Sequence, residues 1–348
     1  MESIYKYIAL NGKKYRIDEY ESWCYALSSD EEDEKLRQFF KDWADERDFI
    51  LGKTSGSTGD PKTIKLSKRA MLASAELTNS FFNLKAGDSI LLCLSVNYIA
   101  GKMMLVRAIA GGLNVVVAKP SSEPDWKGSV ALAAMVPMQV QQLLSSAKGR
   151  KALSMVENLI VGGSPLSRDC AEKLSDLPVN AYMTYGMTET VSHVALSKIG
   201  RETRPVYTAM SGVRFSLDNR GCLVISAPHL SEENVVTNDV AELISDMSFV
   251  WKGRFDNVIN TGGVKVHPEV VEDSLRGMID RRFYVMAEPD VKFGEIVVLK
   301  IEGTPLSDDL LRKLQSDMAR RLSKFERPKK ILFLAKFRET DSGKVIRI

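Results

Sequence analysis

The nine residues from Thr54 to Lys62 have the composition of a loop that binds phosphate. Five of the nine are hydroxyl side chains or a lysine, which donate hydrogen bonds to oxyanions. Two glycines let the chain turn tightly and bring backbone N–H groups to a phosphate. In chain order the residues are Thr54, Ser55, Gly56, Ser57, Thr58, Gly59, Asp60, Pro61 and Lys62.

Two other interpretations of this segment are less favoured. A Walker A loop is excluded because Asp60 and Pro61 separate the last glycine from Lys62. A flexible Ser/Gly linker has no need of a Pro-Lys pair after its last glycine. Nor does a linker need to lie between a buried run, Phe49–Leu51, and a helix. The sequence therefore favours a phosphate loop.

Five further segments carry polar or glycine residues of a similar kind. Taken singly, each is typical of a turn, a strand end, a helix cap or a solvated tail. Together, and after the nine-residue loop, they resemble the signatures of the adenylate-forming superfamily of acyl-CoA synthetases and AMP-dependent ligases. The segments are Gly162–Pro165, Tyr185–Glu189, Thr237–Asp239, Gly253–Glu269 and Thr340–Lys344.

The resemblance implies a nucleotide site. Gly163 and Ser164 would lie in a loop against adenine, and Tyr185 would pack on the adenine ring. Thr188 would touch the α-phosphate. Glu189 would help to hold Mg²⁺, a hard cation that prefers carboxylate oxygens and bridges phosphates.

The resemblance also assigns residues closer to the C-terminus. Asp239 would accept hydrogen bonds from the ribose hydroxyls, and Arg254 would reach ribose or phosphate. Asn238 stands where the superfamily has Gly, and Asn tolerates a positive φ better than most residues. Asp256 would be the hinge that absorbs the dihedral change between two domains. Lys344 would be the catalytic lysine of adenylation.

The implied function is the ATP-dependent activation of a small carboxylic acid as its acyl-adenylate, followed by transfer of the acyl group to coenzyme A. Gly262 and Gly263 would line the tunnel for the thiol, although an ordinary β-turn is the alternative. The branch that the chain resembles is that of o-succinylbenzoate–CoA ligases of menaquinone biosynthesis. Another aryl- or acyl-CoA ligase, a carrier-protein-loading adenylation enzyme and a non-catalytic nucleotide-binding protein stay open as alternatives.

Three residues are candidates for the acyl pocket. This branch has Pro-x-x-His-x-x-Gly where the chain has Ser95–Gly101, so Tyr98 replaces the histidine and would wall off the pocket. Arg107 is a candidate cation for a second carboxylate on the substrate, and a solvated Arg on a helix face is the alternative. His193 would line the pocket or have a structural role.

The elements that must position these residues alternate between buried strands and amphipathic helices, which predicts an α/β sheet with helices packed on it. The predicted strands are Ser89–Ser95, Leu113–Ala118, Val130–Val136, Val156–Val161 and Val179–Thr184. The predicted helices are Ala70–Phe82, Gly101–Ala110, Met138–Ala147 and Arg168–Leu174.

After about residue 205 the pattern changes to hairpins and then to a compact α+β unit. Val213–Leu217 and Cys222–Ser226 flank a strong turn, and Ala241–Ser245 with Phe249–Lys252 forms a second pair. We predict an N-terminal AMP-binding domain at residues 1–253 and a C-terminal lid domain at residues 257–348. The region before Thr54 is shorter than in the superfamily, so the first domain would be truncated at its start.

Composition limits the class of protein. The chain has 348 residues, of which 44% are hydrophobic and 27% charged, as in ordinary globular proteins. Its net charge of +3, without blocks of like charge, does not indicate nucleic acid as a partner. Without a signal-peptide pattern or an apolar run of the ~18–20 residues that span a bilayer, we expect a cytoplasmic enzyme with no membrane partner.

Overall fold

The computed structural model describes residues 6–24, 31–53, 63–201, 205–230, 234–339 and 345–347. The chain divides into two compact units, each described by itself. The first comprises Met1–Arg214 with Ile225–Val235, and the second comprises Phe215–Val224 with Val236–Ile348. Among the described residues, no helix combines the length and the apolar content that crossing a bilayer requires.

The first unit is an α/β structure. Its strands are β1 (Tyr7–Leu10), β2 (Lys13–Arg16), β3 (Phe49–Lys53), β4 (Thr63–Ser67), β5 (Ser89–Leu92), β6 (Asn114–Val117), β7 (Val130–Met135), β8 (Val156–Val161), β9 (Asn180–Gly186), β10 (His193–Lys198) and β11 (Val206–Ala209). Its helices are α1 (Tyr20–Cys24), α2 (Glu31–Ala44), α3 (Lys68–Phe81), α4 (Ile99–Gly111), α5 (Pro137–Leu144), α6 (Ala147–Leu153) and α7 (Arg168–Ser175).

The central sheet of this unit has the strand order β11-β10-β9-β8-β7-β5-β6-β1-β2. The strands from β9 to β1 run parallel, and antiparallel strands flank them on both sides. Parallel strands are covered by helices on both faces, which explains why β5 and β7 consist mostly of apolar residues. Their carboxyl ends lie along one edge, where open α/β sheets bind ligands.

The middle of helix α4 is almost completely buried. Its residues from Met103 to Ile109 are all at most 2% exposed. Gly101 permits its close approach to the loop after β5, because a Cβ on Gly101 would lie 2.4 Å from the carbonyl oxygen of Ser95. The amide of Asn79 in α3 donates to the carbonyl oxygen of Arg107 at 2.9 Å, which links α3 to α4.

The second unit combines two hairpins with a small α+β structure. Its strands are β12 (Arg214–Leu217), β13 (Cys222–Ser226), β14 (Val235–Ser245), β15 (Ser248–Arg254), β16 (Ile259–Thr261), β17 (Val264–Val266), β18 (Phe283–Asp290), β19 (Gly294–Glu302) and β20 (Lys330–Leu334). Its helices are α8 (Pro268–Leu275) and α9 (Asp308–Arg321). One face of the sheet that β16 to β20 form packs on both helices around Ile259, Val271, Leu299 and Met318.

The predicted α/β fold class is confirmed, and most predicted elements occur within a few residues of their expected bounds. The prediction of one helix at Met138–Ala147 was wrong at its end. The hydroxyl of Ser146 accepts the N–H of Gly149 at 2.9 Å and starts a separate helix, α6. The domain boundary at Asp256 stays a prediction. The two compact units divide the chain earlier, near β12 and β14.

Candidate nucleotide and acyl site

The loops after β8 and β9 lie side by side at the carboxyl edge of the sheet. A Cβ on Gly162, just after β8, would lie 2.4 Å from the hydroxyl oxygen of Thr184 in β9. Gly163 and Ser164 follow in the first loop and are exposed, and half-buried Tyr185 follows Thr184 on the second strand. The structure therefore brings together the three residues that the sequence assigned to adenine.

The loop Met187–Ser192, between β9 and β10, is closed by its own hydrogen bonds. The fully buried hydroxyl of Thr190 accepts the N–H of Met187 at 2.9 Å and lies 2.8 Å from the carbonyl oxygen of Ser192, to which it can donate. Val191 has a φ of 64°, which costs a β-branched residue on the order of 1–3 kcal/mol. Such strain persists only where surrounding contacts hold the conformation, so the conformation of this loop depends on the hydrogen bonds that close it.

The same loop carries Thr188 and Glu189, the residues assigned to the α-phosphate and Mg²⁺. Thr188 is buried, and its methyl group lies 3.4 Å from the position of a Cβ on Gly52 in β3. Glu189 is exposed. A magnesium ion bound to phosphates needs few protein ligands. The described residues contain no cluster of three or more groups that could hold a metal.

The ends of the predicted phosphate loop are fixed near Thr188. Lys53 pairs with Thr63 across β3 and β4, and Gly52, on which a Cβ would lie 3.4 Å from the Thr188 methyl group, is the neighbour of Lys53 in the chain. The chain thus enters and leaves the segment 54–62 beside the loop that carries Thr188. The loop residues themselves lie outside the described residues, as does Lys344; they are Thr54, Ser55, Gly56, Ser57, Thr58, Gly59 and Lys62.

Arg107 lies in the middle of apolar α4 and is 2% exposed. Its Nη2 donates to the hydroxyl oxygen of Ser192 at 2.9 Å, and its Nη1 lies 3.3 Å from the sulfur of Met104. Among the described residues, the buried Nε has no hydrogen-bond partner and no carboxylate forms an ion pair with this guanidinium. The alternative of a solvated Arg on a helix face is therefore wrong, because the Arg107 side chain is buried.

Burial determines the charges of Arg107 and His193. It lowers the pKa of Arg107 to about 10, so the guanidinium is charged at pH 7. Burial, together with the nearby Arg107 charge, lowers the pKa of His193 to about 3, so that imidazole is neutral. Arg107 is therefore the cation of this pair.

The structure links two of the three acyl-pocket candidates. Ser192 touches both Arg107, at 2.9 Å, and Nδ1 of His193, at 3.5 Å. Tyr98 precedes α4 and is 45% exposed, nine residues before Arg107. At ~1.5 Å per helical residue this is about 13 Å along the helix, so Tyr98 does not share the immediate surroundings of Arg107.

In the second unit, Asp239 and Arg254 face each other across β14 and β15. They are paired in the antiparallel register, and Arg254 Nη1 lies 4.0 Å from Asp239 Oδ1. Arg254 Nη2 donates to Asp256 Oδ2 at 3.1 Å. The structure therefore brings the two residues assigned to ribose next to the predicted hinge residue.

The expectation that Asn238 uses its tolerance of positive φ is wrong. Asn238 lies inside strand β14, and the positive-φ residues of the described chain do not include it. Its side chain forms hydrogen bonds instead. Its Oδ1 accepts from Arg220 at 2.9 Å, and its Nδ2 donates to Asp256 at 3.3 Å.

Gly262 and Gly263 form the two-residue turn between β16 and β17. Their φ angles of 59° and 81° are those of a tight hairpin turn, a conformation that favours glycine at both positions. A Cβ on Gly262 would lie 3.3 Å from the ring of Phe293 and 3.6 Å from that of Phe325. The structure therefore has a β-turn at these two glycines, and their role in lining a thiol tunnel stays a prediction.

The profile of a protein family described as AMP-binding enzyme matches residues 14–222, more than half of the chain. The chain belongs to the AMP-binding enzyme family. The predicted membership in the adenylate-forming superfamily is confirmed.

Curated relatives and solved structures agree with this assignment. The 2-succinylbenzoate–CoA ligase of Enterococcus faecalis is 25% identical over 329 residues, which cover 84% of this chain and 67% of the relative. The 2-succinylbenzoate–CoA ligase of Lactococcus lactis is 22% identical over 333 residues, which cover 88% of this chain and 71% of the relative. An acyl-CoA synthetase (AMP-forming)/AMP-acid ligase II-like protein of Dyadobacter fermentans is 34% identical with a TM-score of 0.62, covering 93% of this chain and 95% of that one. The o-succinylbenzoate coenzyme A synthetase of Bacillus subtilis, in complex with ATP and magnesium, shares the fold at 18% identity and a TM-score of 0.71, covering 85% and 68%.

Sequence reasoning about this AMP-binding enzyme missed Ser192 and Thr78, which contact Arg107 or His193. A serine or a threonine carries no pattern that distinguishes it from other polar residues. One available signal was the single arginine within the apolar run Met103–Ile109. A charge in such a run is buried, and a buried charge needs polar neighbours.

Proposed function

We propose that this AMP-binding enzyme is an acid–CoA ligase that forms an acyl-adenylate and then an acyl-CoA thioester, with o-succinylbenzoate as the acid. The relatives named above are acid–CoA ligases, which supports the reaction class. The observation that carries the choice of acid is Arg107, a buried cation with no ion-pair partner among the described residues.

A dicarboxylic acid fits this cation. A buried guanidinium costs stability unless an anion and further hydrogen bonds compensate it. Arg107 offers five N–H donors, and its Nε has no partner in the part of the chain that the structure describes. Because His193 is neutral at pH 7, we assign the binding of the second carboxylate to Arg107. The first carboxylate is then left for reaction with ATP.

In the first step, a carboxylate oxygen forms a bond to the α-phosphorus of ATP, and the bond to pyrophosphate breaks. Two anions approach each other, so cationic and hydrogen-bonding groups must neutralise the charge that develops on the α-phosphate. We assign this role to Thr188 and to Lys344. Mg²⁺ would be held by Glu189 and the phosphates, and it would supply charge neutralisation.

In the second step, the thiol sulfur of coenzyme A forms a bond to the carbonyl carbon of the adenylate, and AMP leaves with its oxygen. The turn at Gly262 supports coenzyme A as acceptor. Phe293 and Phe325 flank Gly262, and the ammonium groups of Lys292 and Lys329 lie 5.5 and 6.0 Å from the Phe293 ring centroid. Aromatic rings and exposed cations together suit a phosphorylated nucleotide better than the surface of a protein.

The proposal is tested by ATP–pyrophosphate exchange with o-succinylbenzoate, benzoate and a panel of amino acids. We expect the highest kcat/KM with o-succinylbenzoate, and thioester formation with coenzyme A but not with a carrier protein. Lys344→Ala should abolish exchange yet leave thioester formation from supplied acyl-adenylate largely intact. Exchange with amino acids alone, or equal loss of both half-reactions in Lys344→Ala, would contradict the proposal.

A further inference from the structure

A chain of hydrogen bonds runs from Arg107 through the loop Met187–Ser192 to helix α3. Arg107 Nη2 lies 2.9 Å from Ser192 Oγ, Ser192 Oγ lies 3.5 Å from His193 Nδ1, and His193 Nε2 lies 3.2 Å from Thr78 Oγ1. Thr78 in turn donates to the carbonyl oxygen of Ser74 at 3.1 Å. In this series of hydrogen bonds, the side chains of Arg107, His193 and Thr78 are buried and Ser192 is partly buried.

The direction of every bond in this chain follows from its two ends. Arg107 can only donate, so Ser192 accepts there and has its own proton available for His193 Nδ1. Thr78 uses its proton toward Ser74, so it must accept from His193 Nε2. The neutral imidazole carries one proton, at Nε2, which leaves Nδ1 free to accept from Ser192. The donors and acceptors therefore match at each contact.

Ser192 also belongs to the strained loop. Its carbonyl oxygen lies 2.8 Å from the Thr190 hydroxyl, and its N–H donates to the carbonyl oxygen of Thr190 at 2.6 Å. The intervening Val191 holds its φ of 64° only as long as such contacts fix it. The side chain of Ser192 thus joins Arg107 to the loop that carries Thr188 and Glu189.

We infer that Ser192 is a positioning residue that couples the binding of a dicarboxylic acid at Arg107 to the binding of ATP at the loop Met187–Ser192. A carboxylate on the unused Nε side fixes the guanidinium, which fixes Ser192 and favours the strained loop conformation. ATP binds that same conformation, so each ligand raises the affinity for the other. This inference rests on the proposed function.

The size of the effect follows from linkage. Coupling between two sites is usually 5- to 150-fold in affinity, and it is reciprocal. We expect o-succinylbenzoate to tighten the binding of a non-hydrolysable ATP analogue with Mg²⁺ at least about 5-fold. Benzoate, which has one carboxylate and cannot also occupy Arg107, should give a factor near 1.

The experiment is calorimetric titration of the full chain with the ATP analogue, with and without each acid. Ser192→Ala should bring the coupling by o-succinylbenzoate close to 1, and Ser192→Thr, which keeps the hydroxyl, should restore it. Ser175→Ala is a matched control, because that hydroxyl donates to the carbonyl oxygen of Ala171 on the outside of α7. A merely structural role for Ser192 would weaken both ligands and leave their coupling unchanged.

The outcomes separate this inference from the proposed function. If wild-type protein binds both ligands without coupling, or if benzoate couples as strongly as o-succinylbenzoate, the inference is overturned, whatever the variants do. Coupling that survives in Ser192→Ala also overturns it. If Ser192→Ala does not fold, Arg107→Lys, which lacks the forked donors, should lose the coupling instead. Failure of the proposed function would show separately, as absence of pyrophosphate exchange with every acid.

Discussion

Replacing Arg107 with methionine should leave the protein at least as stable and make it a worse enzyme at the same time. Methionine keeps much of the length of the side chain and removes the charge from α4. A buried guanidinium without an ion pair is a cost to folding, whereas in the proposed complex it binds the second carboxylate of the substrate. One substitution therefore separates the two roles of this residue.

The magnitude on the folding side follows from burial. The pKa of Arg107 falls from 12.5 to about 10, and each unit corresponds to about 1.4 kcal/mol. Keeping the guanidinium charged inside the folded protein at pH 7 thus costs roughly 3 kcal/mol. The lost hydrogen bond to Ser192 offsets part of this gain, so we expect Arg107→Met to be neutral or to stabilise by up to about 3 kcal/mol. For a unit of this size, each kcal/mol raises Tm by about 2–4 °C.

The magnitude on the catalytic side is larger. Removing one partner of a buried ion pair costs about 3–5 kcal/mol, so kcat/KM for o-succinylbenzoate should fall at least about 100-fold. Activity with benzoate should be unchanged, because benzoate has no second carboxylate. Lys102→Met is the control, since it removes a largely buried cation of the same helix that stacks on Phe39.

Differential scanning calorimetry and steady-state kinetics with both acids measure these effects. A fall in Tm together with equal losses for o-succinylbenzoate and benzoate would refute the reasoning, because it would make Arg107 a structural residue. An unchanged kcat/KM for o-succinylbenzoate would refute the assignment of the second carboxylate.

Three further predictions concern stability. Arg347 contacts Glu272 at 2.7 Å in the second unit, so Arg347→Ala should lower the free energy of unfolding in urea by about 3 kcal/mol. The double variant Arg347→Met with Glu272→Leu should recover most of this loss, and a double variant as unstable as the single one would contradict the pairing. His193 stays neutral down to about pH 3, whereas an unfolded histidine takes up a proton below about pH 6.5. Stability should therefore fall by up to about 1.4 kcal/mol per pH unit between these values, and His193→Gln should flatten that slope if His193 causes it. Gly101→Ala should lower Tm by several degrees because its Cβ would meet the carbonyl oxygen of Ser95 at 2.4 Å, and an unchanged Tm would show that α4 can shift.

The parts of the fold that the sequence predicted well are those with strong local patterns. The apolar runs of β5 and β7 are largely buried in a parallel sheet, and such runs identify strands without knowledge of their partners. Strand β18 was not predicted, although Phe283–Ala287 is an apolar run of the same kind, and its eight residues pair with β19.

The site divides in the same way. Glycine-rich and charged motifs could be aligned with a superfamily. The structure brings the strand that carries Tyr185 beside the loop that carries Gly163, and it pairs Asp239 with Arg254. The link from Arg107 to Ser192 joins residues 85 positions apart, and it depends on how α4 packs under the loop after β9. No local pattern contains such a contact.

The most direct test of the account uses o-succinylbenzoate with ¹⁸O in its carboxylates, incubated with the protein, ATP, Mg²⁺ and coenzyme A. If an acyl-adenylate forms and the thiol displaces AMP, mass spectrometry will find one ¹⁸O atom in AMP and none in pyrophosphate. AMP without the label, or label in inorganic phosphate beside ADP, would contradict the claim that this enzyme activates its acid by adenylation.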